Sequence, residues 1–205
     1  MKLVFKENGI YDQDPACITC GPDGILIMHA DHIDYEHAVA DFITKENYNI
    51  LEIGYGMGLS AKRIQTHNPA LHVIIEREKE IYDKAVEWVG DKENITVIHG
   101  DYKDKIATLT DKFDGIYHSA DKEQKGNLFN FANDIKSLAK DNCILVMLNW
   151  DHNTDIINKA NYKKIETSQA FKDTFKEPET IMIYTTLVDS EWNSDDINSK
   201  YIRIM

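Results

Sequence analysis

Apolar residues fall into two alternating rhythms along this chain. Short β-rich runs at Tyr48–Ile53, Leu71–Ile75, Ile95–Ile98, Phe113–Tyr117 and Ile144–Leu148 predict five strands. Between them, Leu59–Thr66 and Glu78–Val89 carry helical spacing, and Asn127–Ala139 predicts another helix because Leu128, Phe131, Ile135 and Leu138 recur three and four residues apart. Strands that alternate with helices predict a parallel, doubly wound α/β sheet whose ligands lie outside the carboxyl ends of its strands. After the fifth strand the rhythm changes. Tyr162–Thr167 and Thr180–Val188 are joined without a crossover helix long enough for a parallel connection, so they are expected to pair antiparallel. Residues 1–47 read as a loop-rich arm, a natural lid, followed by a helix over roughly His29–Thr44 whose Ile33, Val39, Ala40 and Ile43 cover the sheet. The expectation is one domain over residues 1–205, with arm and helix at 1–47 and the core at 48–205.

Composition narrows the function. A chain of 205 residues that is 42% hydrophobic has enough apolar surface for one sizeable core. A formal net charge of -12 repels phosphate backbones and anionic lipid heads, so neither nucleic acid nor a membrane is an expected partner. The amino terminus turns polar after five residues, and no apolar run approaches the ~18 residues of a membrane span. Three cysteines fit reduced thiols better than a disulfide framework. The expected location is the cytoplasm.

The chemistry concentrates at the ends of the first three core strands. The first ends in Glu52 and runs into Gly54-Tyr55-Gly56-Met57-Gly58 before a helix. Glycines there let the backbone turn tightly and approach a ligand closely. A dinucleotide site places its third glycine three residues after the second, where this chain has Leu59, so the spacing argues against a pyrophosphate. At the end of the second strand Glu76 is placed to accept hydrogen bonds from vicinal ribose hydroxyls. His99-Gly100-Asp101-Tyr102 ends the third, offering a carboxylate for an adenine amino group and a ring for stacking on the purine.

The acid-x-Gly-x-Gly-x-Gly form resembles the first motif of class I S-adenosylmethionine-dependent methyltransferases, a family with a Rossmann-like, seven-stranded sheet closed by an antiparallel hairpin. Within it, ILEIGYGMGLSA, HVIIERE, FDGIY and the Met28-His29-Ala30 triplet are similar to guanidinoacetate N-methyltransferase and, more distantly, to arginine methyltransferases, over roughly residues 28–150. The resemblance implies S-adenosylmethionine as cofactor, with contacts from Met28, the loop from Gly54 to Leu59, Glu76 and Arg77, and Asp101 and Tyr102; Glu52 and Gly100, at the same strand ends, are further candidate cofactor contacts. The leading expectation is methylation of an amine or guanidine on a small molecule or peptide, with the enzyme a monomer or homodimer. The two carboxylates that hold the guanidinium in that family fall here on Ser119 and on Gly24 beside Asp23.

Methyl transfer needs a nucleophile with a free lone pair, and the protein contributes proximity and proton removal. His118 at the end of the fourth strand is the first candidate base, with Tyr117 and Asp121 beside it; a strand-end hydrogen bond explains the histidine equally well. Tyr11, Asp23, Ser119, Asn149 and Trp150 are the candidate acceptor contacts. Ser119-Ala120-Asp121-Lys122 also resembles the metal-binding segment of caffeoyl-CoA-type O-methyltransferases. Ser119 and Leu148 replace acidic ligands of that pattern, so no catalytic metal is expected. Cys17-x-x-Cys20 with His29-x-x-His32 has the wrong spacing for a zinc finger. A metal-independent O-methyltransferase and a non-catalytic cofactor-binding subunit stand as the competing readings.

Overall fold

In β4 (Asn49–Ile53), residues Ile50 to Ile53 are all buried, the signature of a parallel strand covered on both faces. The same holds for β5 (Leu71–Glu76), where burial runs from His72 to Glu76. A computed structural model of the chain describes residues 3–6, 17–20, 25–119, 134–147, 161–165 and 180–187. With β6 (Ile95–His99), β7 (Phe113–His118), β8 (Ala139–Met147), β9 (Asn161–Ile165) and β10 (Thr180–Leu187), these strands build one seven-stranded sheet in the order β6-β5-β4-β7-β8-β10-β9. Pairs among β4 to β8 are parallel, and β10 runs antiparallel to both β8 and β9. The order reverses between β4 and β7, which opens the crevice where doubly wound sheets bind ligands.

Helices α1 (Ile33–Ile43), α2 (Leu59–Gln65) and α3 (Lys79–Val89) cover one face, and α4 (Tyr102–Lys105) with residues 134–138 covers the other. Leu51, Ile53, Val73, Ile75, Phe113 and Ile116 form the core beneath the second group. Ile74 packs with Ala61 of α2 and with Ile81 and Ala85 of α3 beneath the first.

Three boundaries differ from expectation. The arm contains an antiparallel sheet of β1 (Leu3–Lys6), β2 (Cys17–Cys20) and β3 (Ile25–His29). Its Leu3 and Ile18 insert beside Tyr55, Ala61 and Ile81, so these strands pack on the α2 and α3 side of the core. Strands of four or five residues show too few cycles of alternation to stand out from loop. Helix α1 starts at Ile33 because residues 30–32 form a 3-10 turn, capped by the His29 side chain, which accepts from the Asp31 N–H at 3.4 Å. Strand β8 begins at Ala139, five residues before the apolar run, and its pairing with β7 skips from Phe113–Ala139 to Gly115–Ile144, with Asn142 at φ 62° absorbing the irregularity. Of the helix expected over Asn127–Ala139, only the last turn lies within the described residues.

Candidate cofactor site

The loop after β4 takes the left-handed backbone at Gly54 (φ 89°), Gly56 (φ 54°) and Gly58 (φ 70°), conformations that a side chain penalises. It is anchored from both sides. Gly54 N–H donates to the Ile75 carbonyl of β5 at 2.8 Å. From β7, the Ser119 N–H donates to the Ile53 carbonyl at 2.9 Å, and its hydroxyl lies 3.2 Å from the carbonyls of Ile53 and Gly54. Met28 of β3 closes a third side: its Sδ accepts from Met57 N–H at 3.0 Å, and a Cβ on Gly56 would sit 2.6 Å from it. Tyr55 is buried and folds over Gly58, where an added Cβ would lie 2.5 Å from the phenol ring. Ser119→Ala is expected to destabilise the fold by about 1 kcal/mol through loss of this loop anchor. Chemical denaturation measures it, and an unchanged midpoint would mean that the hydroxyl adds nothing to the anchor.

Glu76 ends β5 with 5% exposure and faces this loop. Its Oε2 accepts from Tyr55 N–H at 2.8 Å and its Oε1 from Glu78 N–H at 2.7 Å. A carboxylate has about four acceptor positions, more than these backbone donors fill, so capacity remains for a ribose hydroxyl. Burial raises the Glu76 carboxyl above its usual range, and the backbone N–H groups of Tyr55, Glu78 and Gly56 pull it back. Beyond the strand, exposed Arg77 lies against Glu78 at 3.2 Å. Gly100 (φ 140°) donates its N–H to the Glu76 carbonyl at 2.9 Å, tying the ends of β5 and β6 together. Asp101 caps α4 by accepting from Lys103 N–H at 3.0 Å, and its half-buried carboxylate keeps further acceptor positions.

The buried Glu76 and half-buried Asp101, the left-handed glycines and the absence of a glycine at position 59 suit a cofactor with a ribose and no pyrophosphate. Met28, Gly54, Tyr55, Gly56, Met57, Gly58, Glu76, Gly100 and Asp101 are thereby gathered at adjoining strand ends. Two other residues point elsewhere. Tyr102 is turned into the core, with its ring edge-on to His118 at 4.9 Å, not outward as a stacking platform. The carboxyl of Glu52 is fully buried beneath the loop, where Ser60 Oγ donates to Oε1 and His72 Nε2 lies 3.0 Å from Oε2.

On the acceptor side, His118 is 1% exposed on the face that holds Tyr102. Tyr117 points to the opposite face and donates its hydroxyl to Glu36 Oε1 at 3.1 Å. Tyr11, Asp23, Asp121, Asn149 and Trp150 lie outside the described residues. Cys17 and Cys20 stand at the two ends of β2. Among the described residues no three His, Cys, Asp or Glu side chains converge on a metal position, and no helix is long and apolar enough to cross a membrane. Glu36, Ser60 and His72 are the polar residues here that motif reasoning passed over. The signals were present: Glu36 shares a helical stripe with Val39, Ala40 and Ile43, and His72 interrupts an apolar strand.

The sequence pattern of the family described as guanidinoacetate N-methyltransferase matches residues 20–204. The chain belongs to this family. Among curated relatives, protein arginine N-methyltransferase 2 of Saccharomyces cerevisiae is 29% identical over 152 residues, covering 67% of this chain and 35% of that protein. The same-named protein of Yarrowia lipolytica is 26% identical over 136 residues, covering 62% and 28%. The chain thus spans about a third of the length of these relatives. In fold, spermidine synthase from Thermotoga maritima superimposes with a TM-score of 0.54 at 16% identity, over 71% of this chain and 52% of that one. The guanidinoacetate N-methyltransferase family is one of S-adenosylmethionine-dependent methyltransferases, and the sheet order here, with β10 antiparallel between β8 and β9, is the Rossmann-like class I arrangement.

Proposed function

We propose that this chain binds S-adenosylmethionine at the ends of β4, β5 and β6 and transfers its methyl group to a nitrogen of a small molecule or peptide. The observation that carries the reading is Glu76, a buried carboxylate with acceptor capacity left, facing a glycine loop anchored on three sides. The cofactor supplies an electrophilic methyl on a sulfonium. The chain's part is to hold the ribose at Glu76, to receive the adenine amino group at Asp101, and to keep the loop backbone close to the methionine portion. In the transfer, the nitrogen lone pair forms the new N–C bond as the S–C bond breaks, and a nitrogen that started neutral then releases a proton to solvent or a nearby base. His118, at the end of β7, is the described residue best placed to influence that end of the site.

Ser119 spends its hydroxyl on the carbonyls of Ile53 and Gly54, so the carboxylate that grips a guanidinium in this family has no counterpart at that position. The acceptor screen therefore includes amines as well as guanidinoacetate and arginine peptides. Calorimetric titration is expected to give micromolar binding of S-adenosylmethionine and S-adenosylhomocysteine and no heat with NAD. Transfer of a labelled methyl group to one of the nitrogen acceptors completes the test. Binding of NAD in place of the adenosylated compounds would sink the cofactor assignment, and tight cofactor binding with no acceptor converted would favour a regulatory subunit.

A further inference from the structure

Beneath the glycine loop, on the α1 and α2 side of the sheet, lies a polar cluster that the proposed chemistry does not use. Glu52 of β4 is held by two donors, the Ser60 hydroxyl and His72 Nε2. The Gln65 amide nitrogen lies 3.1 Å from His72 Nδ1, and Asn94 Nδ2 lies 3.2 Å from the Gln65 oxygen, an arrangement that aims the His72 Nε2–H at Glu52. Glu36 of α1 reaches the same cluster with 2% exposure. The Tyr117 hydroxyl donates to its Oε1, while Oε2 makes no hydrogen bond and the neighbouring Ser60 hydroxyl is directed at Glu52. Among the described residues, the groups facing the Glu36 carboxyl are Tyr117 from β7, Glu52 from β4 and Ser60 from α2, with Tyr35 its neighbour on α1.

Two carboxyl groups in one dry pocket do not both ionise readily, and the one with fewer donors keeps the proton. That one is Glu36. Its contacts reach both supports of the cofactor loop. Ser60 sits in the first turn of α2, two residues after Gly58, and Tyr117 is two residues before Ser119, which holds the Ile53 and Gly54 carbonyls.

We propose that Glu36 is a proton-bearing positioning residue: as a neutral acid it ties α1 to β7 and α2 beneath the loop, and loss of its proton loosens the cofactor site. Burial and the charge of Glu52 push the Glu36 carboxyl from 4.5 up to about 8. The inference rests on the cofactor reading above, but only in its second half.

The sign of the stability effect follows from proton binding. Between about pH 4.5 and 8 the folded chain keeps a proton on Glu36 that the unfolded chain has released, so the stability it contributes is present in acid and is lost as pH rises through this window, levelling off above it. Stability of the wild type and of Glu36→Gln, a neutral isostere, is to be measured by denaturation from pH 5 to 9.5, and S-adenosylhomocysteine affinity by calorimetry from pH 7 to 9.5. Expected is a fall in wild-type stability up to about pH 8 that Glu36→Gln lacks, and an affinity loss of about tenfold above pH 8 in the wild type that the variant escapes. Tyr117→Phe removes a hydrogen bond that favours the ionised form, so it should move the wild-type affinity transition to higher pH. Infrared spectra at pH 7 should show a protonated carboxylic acid in the wild type that Glu36→Gln loses. Identical pH profiles for wild type and Glu36→Gln, or no such band, would overturn the proposal. If the wild type binds no adenosylated compound at pH 7, the cofactor reading falls together with the affinity half, and the stability slope and infrared band still judge whether Glu36 carries a proton.

Discussion

Glu76→Ala should weaken S-adenosylmethionine binding by roughly 100-fold, about 3 kcal/mol, from loss of a charged hydrogen bond to the ribose and of the loop's orientation. The loss has two sources. The ribose would lose its acceptor, and the N–H groups of Tyr55 and Glu78 would lose the carboxylate that now orients the loop on one side and the strand end on the other. Glu76→Gln keeps one acceptor oxygen and should fall between wild type and alanine. Calorimetry at fixed pH gives the ratio directly. A change under about threefold for the alanine variant would mean that the diol is held elsewhere, because losing a hydrogen bond to a buried carboxylate costs far more than that.

Gly115→Ala should cost the fold about 2–3 kcal/mol, a large effect for one methyl group. Gly115 lies on β7 under the carboxyl end of α1, where an added Cβ would meet the Ile43 carbonyl oxygen at 2.5 Å and the Ile43 Cβ and Ile50 Cδ1 at 3.0 Å. The first obstacle is backbone, so it cannot rotate away; α1 would have to lift from the sheet and carry Glu36 with it. Urea denaturation measures the effect. A shift below about 0.5 kcal/mol would show that α1 is not seated on β7 as described. Because the clash is steric and not conformational, serine at this position should be at least as damaging as alanine.

Much of the core was legible in the chain because its strands are buried on both faces and interrupted by amphipathic helices, and those two rhythms are the strongest local signals a sequence carries. The glycine loop and Glu76 could be placed for the same reason: a motif at a strand end inherits its position from the strand. What escaped depended on direction. Tyr117 and His118 are neighbours on one strand, so they face opposite sides of the sheet and cannot both line one site, a consequence of strand period that motif reasoning overlooked. Glu52 looked like a ligand contact because it precedes the loop, yet the middle of a parallel strand has no solvent side, and its carboxyl found Ser60 and His72 instead. The small sheet of the arm escaped because Leu3 and Ile18 acquire meaning only when α2 and α3 are in place to receive them.

The position of β10 has a consequence for synthesis. Strand β9 is made first, at residues 161–165, yet its sheet partner is β10, at residues 180–187, and so is the partner of the open side of β8. On the ribosome, β4 to β8 can assemble while β9 has nothing to pair with, and the edge of β8 stays uncapped until residue 187 has emerged. A chain stalled in that interval presents a bare strand edge, the surface by which nascent proteins pair with the wrong molecule. Insertion of β10 closes it, so the interval between the emergence of β8 and that of β10 is when this sheet is most open to wrong pairing.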